Sequence, residues 1–466
     1  MNVSVHVPIR QVVNQDRIIT SLTTLVWLSR VGVLHSEFGT VSADPKTREC
    51  KRPVRQYARA GLALISVSIL GLLGHEYGGR VQWLSSLQQT AHAALSHLDP
   101  RVPRAERVAL VEIDDTTFWS DKLKGRQPVD RRILGEIVRT ASDADAAVIA
   151  LDLQLKSPYG DRVGDYPDSE IQKADQFLLA AIQYATQKGV PVILGCGLVR
   201  DNKGLREEPG IFPRDALPAL VETGYINLPR DMRTVPLQTV VFGGEHADVQ
   251  ESLFGHELDS FALQIVGSYE KVENIEPHTK ETALIARALA NGDPVYVGFL
   301  KPNAFPRVSA LDIANRRTDA LSRLRHRIVI VGGTWHQYSK SVGPLIENFA
   351  TPTGPLPGLY VHANYVEALL DGRVKGAISW SYALLLDLIL GVALIVCFHI
   401  TRNTTSRLAI LAVFLALVIC AYLFPVNFGL YLEFVLPLGL LVIHLGSEHY
   451  LELRHRAKRR LTDATT

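Results

Sequence analysis

The residues best placed for chemistry in this chain are carboxylates that end apolar, β-branched runs. RVALVEID (107–114) ends on Asp114 with Asp115 next to it, and AAVIALDLQL (146–155) carries Asp152 where its apolar run stops. Ligands of open α/β sheets bind at the carboxyl ends of the strands, so acids there could coordinate a cation or accept hydrogen bonds from a ligand. The same acids could instead be structural. Asp115 precedes TTFW and could cap a short helix. Arg131 and Arg132 follow Asp130, itself a good N-cap, and Arg131 could pair with a strand-end acid as a buried structural pair or as an anion site.

Other chemistries find little support. VIVGGT (329–334) resembles a phosphate-cradling turn, but it lacks the third glycine of a dinucleotide fingerprint and the Gly-Lys-Ser/Thr of a P-loop. A tight turn after a core strand explains it. His336 and His362 could join the strand-end acids around a metal, yet two lone histidines 26 apart carry no ligand spacing. There is no GxSxG, and Cys196 within LGCGL reads as a small buried hydrophobe. We expect no catalytic residue, no metal and no cofactor.

The elements that must position these acids alternate between two periodicities. RRILGEIVRTASDA (131–144) places Ile133, Leu134, Ile137 and Val138 at helical spacing, and ADQFLLAAIQYATQKG (174–189) is a helix closed by glycine. AAVIALDLQL and PVILGCGLV (191–199) are continuous apolar runs of the kind buried on both faces of a parallel sheet. Residues 200–219 read as loop, GYINLP (224–229) and TVPLQTVVF (234–242) as short strands, and SFALQIVGSYE (260–270) as a helix. PVYVGFL (294–300) and RIVIVGGTW (327–335) resume the strands, and YVHANYVEALLDGR (360–373) is a helix. The fold class is an α/β domain, a mixed and mainly parallel sheet with helices on both faces, in which the strands ending at Asp114 and Asp152 are neighbours.

At 466 residues, 47% apolar and with a mean hydropathy of +0.11, the chain concentrates its apolar excess in four blocks. Residues 57–74, 378–400, 408–424 and 426–446 are each long enough to span a bilayer. Basic residues flank them on one side only: Arg48, Lys51, Arg52 and Arg55, then Arg402 and Arg407, then Arg454, Arg456, Lys458, Arg459 and Arg460. This distribution predicts a multi-pass protein of the cytoplasmic (inner) membrane with both termini cytoplasmic. Segment 1–56 and the basic tail 447–466 would lie inside, and residues 75–377 outside. The first block reads as a retained anchor rather than a signal peptide. Asp387 and Glu433 would be acids within the membrane, where they face each other, face the external domain or reach interfacial water. Only Cys196 falls in the external segment, so that domain needs no disulfide. A formal charge of +2 argues for neither a nucleic-acid nor an acidic partner, and no nucleic acid is expected.

In order, the chain presents Ile113-Asp114-Asp115, Gly125/Pro128/Arg131, Leu151-Asp152, Asp231/Arg233/Pro236, Val331-Gly332, and Pro357-Gly358 with His362-Ala363-Asn364. This series resembles the type-two CHASE domain, the cyclase/histidine-kinase-associated sensory extracellular domain, across about residues 80–377. One helix before the domain and three after it also fit that family. The resemblance implies an extracytoplasmic sensor and adds Asp231 and Arg233 to the candidate ligand residues. Two departures stand out. Members often carry an Asp soon after the Val-Gly turn, whereas here no acid follows until Glu347. The family also usually delivers its signal to a catalytic module, and the roughly twenty residues after Gly446 hold none.

The expected function is detection of a small extracellular molecule or an envelope signal, passed to a separate cytoplasmic or membrane partner. The alternative is a non-sensing adaptor whose external domain docks another protein. Oligomeric state stays open, a homodimer included.

Overall fold

The computed structural model describes residues 104–377, apart from 126, 128, 156–167, 201–203, 209, 213–215, 230–231, 243–254, 276–278 and 292–294, together with residues 430–431. In chain order the elements begin with β1 (Val108–Ile113), α1 (Asp115–Phe118), α2 (Arg131–Asp143), β2 (Val148–Asp152), α3 (Asp168–Gln187) and β3 (Val192–Cys196). Then come β4 (Leu198–Arg200), β5 (Leu205–Glu207), β6 (Val221–Tyr225), β7 (Gln238–Val241), β8 (His256–Asp259), α4 (Phe261–Glu273) and α5 (Thr279–Asn291). The remainder are β9 (Val295–Val297), β10 (Arg307–Ser309), α6 (Ala310–Ala314), α7 (Thr318–Ser322), β11 (Ile328–Gly333), β12 (Asn348–Thr351), β13 (Gly354–Pro357), α8 (Gly358–Leu370), β14 (Val374–Ala377) and β15 (Leu430–Tyr431).

Six strands form one sheet in the order β10-β1-β11-β2-β3-β6, every neighbouring pair parallel. The expected α/β class therefore holds for this domain. One expectation within it does not: β1 and β2 are not neighbours, because β11 inserts between them. A parallel neighbour needs a crossover, and nothing in the first crossover requires β2 to sit directly beside β1.

Alternation along the strands divides the interior in two. Val108, Leu110, Val148, Ala150, Ile328 and Ile330 face α4 and α8, whereas Ala109, Val111, Ile149, Leu151, Val329 and Val331 face α2, α3 and α6. Both sets are buried, which explains why these strands read as unbroken apolar runs. The helical spacing in α2 points Ile133, Leu134, Ile137 and Val138 inward, all at 4% exposure or less. Each such side chain contributes about 1.5–3 kcal/mol.

The run 191–199 splits at Gly197 into β3 and β4, and β4 turns back on β5. The strands β5, β8 and β10 and the helix α5 lie where no element was expected. Among the described residues no helix is long and apolar enough to cross a membrane. The expected spans 57–74, 378–400 and 408–424 lie outside the described residues, as do Asp231, Asp387 and Glu433. Inside the expected span 426–446, Leu430 and Tyr431 are extended and pair parallel with Gly376 and Ala377 of β14, so at these two residues the segment is strand rather than helix.

Candidate functional site

At the carboxyl edge of the sheet, Glu112, Gly332 and Asp152 stand side by side in register. Gly332 is where α8 seats itself: a Cβ there would lie 3.0 Å from Leu359 Cδ1 and 3.2 Å from Leu359 Cβ. The Val-Gly pair is still strand here, so it provides close packing rather than the expected tight turn or a phosphate cradle. With the helix this near the sheet, its second turn lowers His362 onto Asp152.

The two side chains are only 3% and 4% exposed, with His362 Nε2 3.6 Å from Asp152 Oδ1. Among the described residues no N–H or O–H donates a hydrogen bond to that carboxylate, and 3.6 Å is too long for one. His362 Nε2 lies 3.2 Å from the Ile226 carbonyl, while its Nδ1 is buried with no hydrogen-bond partner. The ring stands edge-on to Phe261 and Tyr365, with centroids 5.3 and 6.3 Å away. Burial pushes Asp152 up to about 7 and His362 down to about 4. Between those limits the pair holds one proton, whichever atom carries it.

Glu347 completes this group. It lies in the connection from β11 to α8, with φ at +52°. Its carbonyl accepts from Gly358 N at 3.0 Å. Its carboxylate Oε2 lies only 2.9 Å from where a Cβ on Gly358 would be, so the side chain rests directly over the start of α8. Burial raises the Glu347 pKa and the neighbouring Asp152 raises it further, against a smaller opposing effect of His362.

Asp114 and Asp115 act differently. Asp114, not Asp115, caps α1, its Oδ1 accepting from Thr117 N at 2.8 Å and Thr116 Oγ1 at 2.8 Å. Ser309 Oγ donates to the same oxygen at 3.2 Å, tying the cap to β10. Asp115 turns to the connection after β11, accepting from His336 N at 2.7 Å and Ser341 N at 2.9 Å, with His336 Nδ1 2.7 Å from Oδ2. Partial burial would raise its pKa, but these hydrogen bonds hold it below the usual carboxylate range. The two histidines do meet strand-end acids, but one each. Among the described residues no group of three metal-ligating side chains forms.

The expected arginines lie elsewhere. Arg131, buried at 5% exposure, pairs with Asp175 of α3, Nε to Oδ1 at 3.0 Å, and not with a strand-end acid. The reason is topological: α2 and α3 pack together on one face of the sheet, whereas Asp152 points to the other. Arg233 is 1% exposed, its guanidinium 6.0 Å over the Tyr296 ring and its carbonyl accepting from Val297 N, so it belongs to the β9 region.

The residues not singled out are Glu112, Glu347 and Glu367. Glu112 accepts from the Tyr360 hydroxyl in a short hydrogen bond, and burial raises its pKa. A glutamate inside the otherwise apolar VALVEI was the signal for it. Glu347 was visible as the first acid after the Val-Gly turn. The His-Ala-Asn motif also gains a physical meaning: His362 meets Asp152, Ala363 packs in the core, and Asn364 accepts from Leu300 N at 2.6 Å while donating to Tyr360 O at 2.8 Å.

The connection 334–357 covers these strand ends as two hairpins in tandem. The first is closed by Ile346 N to Trp335 O at 2.9 Å and Gln337 N to Pro344 O at 3.0 Å, and the second is β12 with β13. Trp335 anchors the first by stacking on Phe118, centroids 4.3 Å apart. No curated protein and no solved structure matches the chain. The family model of the CHASE2 domain matches residues 62–398, well over half of the 466 residues. The chain belongs to the CHASE2 family of sensory extracellular domains.

Proposed function

We propose that this protein is a membrane-anchored extracytoplasmic sensor of the cytoplasmic membrane, not an enzyme, whose input is read at the carboxyl edge of the sheet and relayed to a separate signalling partner. One observation carries the reading. A buried acid without a hydrogen bond, Asp152, lies under a two-hairpin cover at the point where chain connections diverge to opposite faces of the sheet. Strands β1 and β2 leave toward the face of α2 and α3, whereas β11 leaves toward α8. Such a switch point is where α/β sheets take ligands. An acid kept there without a hydrogen-bond donor costs stability, which a structural role does not explain.

The layout supports the anchoring. The described domain begins at β1 and ends after α8, and both ends lie at the opposite, amino edge of the sheet. There Arg107 Nη1 meets Asp371 Oδ1 at 2.8 Å. The spans read from the sequence would then hold that edge toward the bilayer and turn the covered crevice away from it. The basic segment HYLELRHRAKRRL (449–461) offers a surface for a cytoplasmic partner. Labelling with a membrane-impermeant thiol reagent tests the arrangement. A single cysteine at Gly204 should react in intact cells and one at Thr465 should not, and the reverse pattern would overturn it.

The adaptor reading has one observation of its own, the tip of the first hairpin, where Tyr338 and Val342 are 69% and 51% exposed. It requires a stoichiometric partner that co-purifies with the wild type and is lost from Tyr338→Ser.

A further inference from the structure

We propose that Asp152, His362 and Glu347 form a proton-binding site, and that loss of its proton loosens the hairpin connection over the strand ends; this rests on the sensor reading above. The argument starts from closure. The Asp152 and His362 side chains are 4% and 3% exposed, so a solute the size of a metabolite has no route to them with the connection in place. A proton needs none. His362 supplies the second sign of a binding site, a buried imidazole whose Nε2 lies 3.2 Å from the Ile226 carbonyl and 3.6 Å from Asp152, and whose Nδ1 has no hydrogen-bond partner.

The surroundings make the proton matter. In register with Asp152 stand Gly332 of β11 and then Glu112 of β1, Glu347 approaches from the connection, and from α8 comes Tyr360, bonded to Glu112, while Asp114 is turned toward β10. Past β6 comes the Ile226 carbonyl. Among the described residues these elements present no Lys or Arg to Asp152. Arg307 stands behind Glu112 and is engaged with Glu112 and Tyr360. A proton lost from the Asp152–His362 pair therefore leaves a buried negative charge beside the Glu347 carboxylate, and the two repel. Glu347 is the part able to move. It is in an exposed segment, and its left-handed backbone is held only by its surroundings. His362 stays in place, wedged between Phe261 and Tyr365. Opening thus hydrates Asp152 while leaving the imidazole buried and neutral. The closed form binds the proton more tightly than the open form, so acidity closes the site and neutrality frees it. Burial alone already holds Asp152 near neutrality, the range in which such a device would report.

Hydrogen exchange of the full-length protein in detergent, from pH 5 to 8 and corrected for intrinsic rates, tests this. Protection of residues 345–358 should fall with rising pH, by up to about tenfold per unit, and level off above about pH 7. Asp152→Asn, a fixed stand-in for the protonated acid, should abolish that slope. Glu347→Gln, which removes the repelling charge from an exposed segment, should move the levelling-off to lower pH. A flat wild-type profile, or a slope that survives in D152N, overturns the proposal. If D152N does not fold, a slope that E347Q leaves unmoved overturns it equally. Repeating the exchange at constant pH with a metabolite panel separates the two readings. Protection that answers a compound but not pH sinks the proton and keeps the sensor, and a connection that answers neither sinks both.

Discussion

The two ends of α8 each press a side chain against a buried carboxylate environment, and they do so in opposite ways. At the amino edge of the sheet, Glu367 is fully buried, and its carboxylate accepts from Glu106 N at 2.8 Å, Arg107 N at 3.2 Å and Val108 N at 3.0 Å. Burial raises its pKa while those backbone donors pull it back. At the carboxyl edge, Asp152 of β2 is nearly as dry, and has only the neutral imidazole of His362, five residues earlier on the same helix, 3.6 Å away. The first acid closes three backbone donors that would otherwise lie unpaired at the start of β1. The second closes nothing. A buried charge that completes a hydrogen-bond set is architecture, and one left incomplete beneath a cover points to function.

The largest expected effect sharpens that contrast. Replacing Glu367 with Ala strands three backbone N–H groups and should cost about 3–5 kcal/mol, read as a large drop in the melting temperature of the detergent-solubilised protein. A loss below about 1 kcal/mol would erase the distinction between the two edges.

The next test uses pH. Asp152 has a raised folded-state pKa, so its contribution to stability is present in acid and lost as pH rises toward about 7. His362 has a lowered one, so its contribution is present above about 6.5 and lost as pH falls toward about 4. The two nearly cancel in the wild type between about pH 4 and 6.5. Breaking the pair should expose opposite slopes of up to about 1.4 kcal/mol per pH unit. Asp152→Asn should weaken on acidification, and His362→Gln should weaken as pH rises to 7. Parallel slopes in thermal melts would show that the two groups do not titrate as a pair.

A smaller change is expected at Asp115. Asp115→Asn should cost about 1–2 kcal/mol, because the neutral amide is a poorer acceptor for His336 N and Ser341 N. The loss should appear in hydrogen exchange of residues 336–346 before it appears in the core. Smallest of all is the backbone term at Glu347. Glu347→Gly should melt higher than Glu347→Gln by about 1 kcal/mol, since only glycine takes φ near +52° without cost. Equal melting would mean that the left-handed conformation is not strained.

Much of this could be read from the residues. β1, β2, β3 and β11 carry their burial in continuous apolar runs, and the spacing in α2 gave its inward face. The strand-end position of Asp114, Asp115 and Asp152 was visible for the same reason. Pairings across the fold were not. Arg131 meets Asp175 because α2 and α3 share a face, and no local pattern distinguishes that acid from Asp152. The first hairpin of 334–357 is held by isolated bridges and the second by two strands of four residues, too short for a period to show, and β10 has three. Glu367 sits in a mostly apolar helix, and a charge there is as readily a surface residue until the sheet is known to lie against it.

The placement of β1 also dictates when the domain can come together. Its two sheet neighbours are β10 and β11, and the glutamate that closes its start is 259–261 residues away along the chain. Until those later segments exist, β1 has no partner on either side. Loop closure over such spans makes folding slow and late, with little native structure to protect β1 in the meantime. During synthesis β2, β3 and β6 can already pair with one another, so β1 is the strand that waits exposed and aggregation-prone, and its docking between β10 and β11 completes the sheet.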